Sequence, residues 1–129
     1  MNTKFKLTLA LLTGIALGAA AIQGLNAQVK PAAYVIAEID VLNQEGYAKE
    51  YLPPSSKALL DKGAKYLARG SKTESFKGEP PKRIVLFSFE NLDAAKAAFT
   101  SPAFVAAAAI GEKYANFRIY GVEASPPPQ

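Results

Sequence analysis

Residues Lys82 to Phe89 read KRIVLFSF, and Glu90-Asn91-Leu92-Asp93 follows at once. Ile84, Val85, Leu86, Phe87 and Phe89 are β-branched, aliphatic or aromatic, with Ser88 the one small exception, so the run predicts a strand that is apolar on both faces. Such a strand has to be covered on both faces, because a contiguous exposed apolar patch is an association site. Asn91 then starts a helix with Leu92, Ala95 and Phe99 at helical spacing, and Ser101-Pro102 restarts it as an N-cap followed by proline. Phe104 to Tyr114 is alanine-rich and apolar nearly all round, which predicts packing on more than one side.

Upstream, Ala33 to Val41 (AYVIAEIDV) alternates as a strand, with Val35, Ala37, Ile39 and Val41 on one face and Tyr34, Ile36, Glu38 and Asp40 on the other. Asn43 is a plausible N-cap for a helix carrying Glu45, Tyr47, Tyr51 and Leu52, which Pro53-Pro54 is expected to break or kink before Gly63 closes it. Ala64 to Gly70 (AKYLARG) predicts a second strand, Ser71 to Pro81 a long loop, and Asn116 to Val122 (NFRIYGV) the last strand. The order β-α-β-β-α-β is the split βαβ, or ferredoxin-like, arrangement: an α+β two-layer sandwich with an antiparallel sheet.

In that arrangement Val35, Ala37, Ile39, Val85, Phe87 and Phe89 meet the helices. The open face is left with Tyr34, Ile36, Ile84 and Leu86 around Glu38 and Ser88. Burying those four side chains is worth about 1.5–3 kcal/mol each. Two sheets are therefore expected to pack open face to open face, making a homodimeric α/β barrel.

The amino terminus carries Lys4 and Lys6, an apolar run from Leu7 to Ile22, and Leu25-Asn26-Ala27 before Gln28. A positive start, a short apolar stretch and a small residue at the cut describe a secretory signal peptide. The expected organisation is signal peptide 1–27, linker 28–32, one domain over 33–124 and a disordered proline-rich tail over 125–129. The expected location is periplasmic or secreted, with no stable membrane association once the signal is cleaved. The formal charge of +4 includes the two leader lysines. Without them 13 basic residues face 11 acidic ones, which is too even to argue for a polyanionic partner.

The chain has no cysteine, histidine or tryptophan, and its one methionine is the initiator. Histidine-activated nucleophiles, a histidine general base and the usual zinc or copper sites are thereby excluded, and no cofactor or metal is expected. KRIVLFSFEN superficially tracks the ribonucleoprotein motif, but Ile84 and Leu86 stand where base-stacking rings are needed, so nucleic acid is not an expected partner.

AYVIAEIDV, EGYAKEY, KYLARGS, FKGEPPKRIVLFSFEN and AAKAAFTSPAF together resemble the family called domain of unknown function 1330, within the dimeric α/β-barrel superfamily. The resemblance runs from about Ala33 to Glu123. Its most specific pieces are Arg69-Gly70, Gly78-Glu79, Arg83 and Ser101-Pro102-Ala103-Phe104. It implies the fold and the dimer, and it names no activity.

Candidate pocket residues are Tyr34, Glu38, Arg69, Arg83 and Ser101. Glu38 on a buried face needs a partner, and Arg69 and Arg83 on neighbouring strands are expected to supply it, forming a polar pocket for an anionic or carbonyl-bearing ligand. A structural ion pair is the plainer account, and Ser101 reads first as a helix cap. The expected function is a homodimeric barrel binding a small molecule, with a cofactor-free reaction open. The alternative is a structural or interaction protein with a filled barrel interior.

Overall fold

The computed structural model describes residues 30–126, so the expected leader and the last three residues of the tail lie outside the described residues. Chain order is β1 (Ala33–Val41), α1 (44–60), β2 (Lys65–Gly70), β3 (Arg83–Phe89), α2 (Leu92–Phe99), α3 (Pro102–Gly111) and β4 (Ala115–Glu123). The four strands form one antiparallel sheet in the order β2-β3-β1-β4, the ferredoxin-like topology. Each strand stands at or within one residue of its expected ends.

β1 and β3 are the central pair, in a register that sets Ile36 against Leu86 and Glu38 against Ile84. Their other faces carry the core: Val35, Ala37, Ile39, Val85, Phe87 and Phe89 are all buried against the helices. Phe99 of α2 meets Phe87 and Phe104 edge-on, with ring centroids 6.0 and 4.8 Å apart, and so locks both helices to the sheet. The helix starts have the expected caps. The Oδ1 of Asn43 accepts from Gly46 N at 3.0 Å and that of Asn91 from Ala94 N at 2.8 Å.

Two expectations are corrected. Pro53-Pro54 does not break α1: a π-helical turn, Tyr47–Tyr51, precedes a regular segment, Leu52–Leu60, and the prolines fall in the first turn of that segment. Leu52 N donates to Tyr47 O, an i to i−5 bond, so the wider turn absorbs the two missing proline donors and lets the helix run on. Second, α3 is packed on one side only: Phe104, Ala107 and Gly111 are buried, while Val105 on the far side is 55% exposed. Small alanines cover so little surface that a uniformly apolar composition does not require a second partner.

Candidate functional site

Simple alternation along β2 would put Tyr66 and Arg69, three residues apart, on opposite faces of the sheet. The pairing with β3 prevents this. Tyr66 stands against Phe87, but the next partner of Leu86 is Ala68, so Leu67 is an extra residue and the strand bulges there. The bulge returns Arg69, opposite Val85, to the helix-covered face that Tyr66 already occupies. The Arg69 guanidinium carbon lies 4.7 Å from the centre of the Tyr66 ring. Arg83 opens β3 two residues before Val85 on that same face, which makes the two arginines diagonal neighbours, about 7–8 Å apart at the backbone.

Both arginines line a half-open cavity of about 290 Å³ between the sheet and α1, Arg83 half-buried and Arg69 exposed. Its polar wall is completed by Tyr47, Tyr51, Ser55, Ser56 and Tyr66, its floor by Ala37 and Val85. The π-helical turn matters here, because it spans Tyr47 and Tyr51 and holds both rings, 5.3 Å apart, under the helix. Gly111 of α3 makes room for the second: a Cβ there would lie 2.5 Å from Tyr51 Cδ2. On the outer rim Tyr66 donates its hydroxyl hydrogen to Ser56 Oγ at 2.9 Å.

Among the described residues neither Arg69 nor Arg83 forms an ion pair with a carboxylate. Arg83 Nε is buried and has no hydrogen-bond partner. A buried N–H of a charged group left unmatched is costly, and two guanidiniums without a counter-charge repel. Burial raises the pKa of Tyr51 to about 12, and burial also raises that of Tyr47 against the opposing pull of Arg83, whose guanidinium lies 5.8 Å from the Tyr47 ring centre. At neutral pH the cavity therefore presents proton donors and positive charge. Among the described residues no carboxylate or lysine lines it.

The five candidate residues do not converge on one pocket. Glu38 is on the open face, with Arg69 and Arg83 on the opposite one, so the expected pairing among the three is wrong. Its partners come from β4 instead: Arg118 Nε lies 3.5 Å from Glu38 Oε2, and Glu38 accepts a hydrogen bond from Tyr120, which is the main reason that phenol's pKa is raised. Tyr34 is also on the open face, opposite Ser88. Ser101 is a cap and no part of the cavity lining: its Oγ donates to Ala98 O at 2.8 Å and accepts from Phe104 N at 3.3 Å. Tyr47, Tyr51 and Tyr66 read as core or interface aromatics in the sequence, and their hydroxyls were missed as site groups. Ser55 and Ser56 were missed too, although polar residues right after a Pro-Pro pair in an apolar helix mark a one-sided polar lining.

The family model called Domain of unknown function (DUF1330) matches residues 32–125. The chain belongs to this family. No curated protein matches it. Among solved structures it is similar to RPA0582, a protein of unknown function from Rhodopseudomonas palustris, with 13% identity, 84% of this chain and 94% of that one covered, and a TM-score of 0.63. It is also similar to SnoaB, a cofactor-independent oxygenase from Streptomyces nogalater, with 11% identity, 77% and 99% coverage, and a TM-score of 0.55. At such identities the likeness is one of fold, and the DUF1330 chain's chemistry rests on its own residues.

Proposed function

We propose that this protein is an exported, homodimeric binding domain whose ligand is a small organic anion held between Arg69 and Arg83 in the cavity under α1. The observation that carries the reading is the pair of arginines that line a tyrosine-rich cavity with no carboxylate partner among the described residues, one of them, Arg83, also having a buried Nε that no group answers. An anionic oxygen supplies what both lack: a counter-charge and an acceptor in the plane of the guanidinium fork. Tyr47 and Tyr51, held protonated, are further donors to it. Since among the described residues no carboxylate or lysine lines the cavity to take a proton, any turnover falls to a ligand that brings its own anionic centre. That requirement is compatible with the cofactor-independent oxygenase among the fold's relatives.

The open sheet face supports the dimer. Tyr34, Tyr120 and Val122 are exposed there, Ile36, Ile84 and Leu86 lie half-buried between them, and the Glu38–Arg118 pair beside them gives the face both signs of charge. Such a face is self-complementary about a two-fold axis. Export rests on the leader pattern of residues 1–27, and protein recovered outside the cytoplasm should begin at Gln28 by intact mass. Retention of residues 1–27 would overturn cleavage.

Calorimetric titration with benzoate tests the site. The parent is expected to bind, and Arg83→Met to bind at least tenfold more weakly, about 1.4 kcal/mol or more. The same variant should unfold at no lower temperature, since it removes an unmatched buried donor. No binding by the parent, or equal binding by both, overturns the anion site.

A further inference from the structure

A second depression, about 480 Å³, runs along the helix-covered face between α2 and β4. It shares Phe99 and Ile119 with the cavity under α1, so the two spaces adjoin along one row of the sheet. The row is set by the register of β1 and β4: Ala37 pairs with Ile119 on the floor of the first space, and Val35 with Gly121 on the floor of the second. The first space holds the two arginines. The second is walled mainly by apolar side chains, Val35, Leu92, Ala95 and Phe99 among them, with Asp93 and Lys96 at its outer edge.

Gly121 lets Leu92 of α2 come down close to β4: a Cβ at that position would lie 3.2 Å from Leu92 Cδ1, so a large side chain there has to take up groove space beside Leu92. The combination of a cationic, donor-rich head site and an adjoining, mainly apolar groove is the shape of a receptor for an amphipathic molecule. We infer that the ligand of this domain is an elongated amphipathic carboxylate, with its head between Arg69 and Arg83 and its apolar tail passing Ile119 into the α2–β4 groove. This inference rests on the anion-site reading above and adds the chemical class of the ligand. It commits the groove to the tail of the molecule bound next door, because the two spaces share a wall.

Octanoate and dodecanoate, titrated below the concentration at which either forms micelles, separate the two readings. Dodecanoate should bind the parent at least tenfold more tightly than octanoate, with a ceiling of about 200-fold if all four added methylenes are buried. Gly121→Leu should remove that advantage, so that the two carboxylates bind alike, whereas Arg83→Met should weaken both. Leu92→Trp, at a position 38% exposed, fills the same groove from the α2 side should Gly121→Leu fail to fold. If octanoate binds and dodecanoate gains nothing, or if the gain survives both groove-filling variants, the tail assignment is wrong and the anion site stands. If neither carboxylate binds the parent, both fall together.

Discussion

The two faces of this sheet are built from alternate residues of the same strands, yet they handle charge in opposite ways. On the open face Glu38 has Arg118 beside it and a hydrogen bond from Tyr120, so its charge is answered locally, near water. On the helix-covered face Arg69 and Arg83 have aromatic rings for neighbours, and Arg83 keeps a buried donor unmatched. A satisfied ion pair at a half-exposed position contributes little, about 0–1 kcal/mol. An unsatisfied charge under a helix costs stability unless a ligand answers it, and for that reason we place the proposed site on the covered face.

The sharpest way to break the comparison uses neighbouring residues of β3. Val85 faces the core and Leu86 the open side. Val85→Lys should unfold the domain, because it buries an unpaired ammonium among Phe87 and Tyr47, a loss of several kcal/mol seen as missing near-ultraviolet ellipticity. Leu86→Lys should keep that signal and turn the proposed dimer into a folded monomer by light scattering. A parent that is already monomeric, or a Leu86→Lys variant that stays dimeric, would show that the open face is not the contact surface.

A smaller effect sharpens the contrast on the dry side. The fold favours the neutral phenol of Tyr51, whose pKa burial pushes up to about 12 from 10.0. Below pH 10 that preference contributes fully. Between about pH 10 and 12 the unfolded phenol ionises first, and the folded state loses roughly 2 kcal/mol of stability from this one group. Urea unfolding at pH 9 and pH 11.5 should show a clearly smaller drop for Tyr51→Phe than for the parent. Identical drops would mean that the ring is wetter than its 6% exposure indicates.

Much of this was legible in order along the chain. Alternation in AYVIAEIDV and KRIVLFSF assigned Tyr34 to Val41 and Ile84 to Phe89 to their observed faces, since the side-chain period of a strand is two and both strands are regular. Asn91 and Ser101 announced the two helix starts through their capping chemistry. The site was legible only in its parts. Arg69 and Arg83 stood out as residues, but their pairing with Glu38 failed: the face of Arg69 depends on the bulge at Leu67, which no residue type in KYLARG marks, and Arg83 follows the alternation of β3 onto the face of Val85, away from Glu38. Tyr47, Tyr51 and Tyr66 looked like core filling, since a ring buried for packing and a ring turning its hydroxyl into a cavity have the same sequence signature.

What the sequence by itself determined, then, is the ferredoxin-like α+β architecture, the two faces of the central strands β1 and β3, the caps and the absence of histidine and thiol chemistry. All of these follow from local periodicity, capping or composition, and none needs a distant contact. Tertiary structure alone decided that Glu38 pairs with Arg118 across β1 and β4, that one extra residue in β2 turns Arg69 inward beside Arg83, and that a π-helical turn carries α1 through Pro53-Pro54 with its tyrosines over the cavity. Each of these depends on which strand lies next to which and in what register. Long-range pairing sets that register, and residue order along a single strand does not specify it.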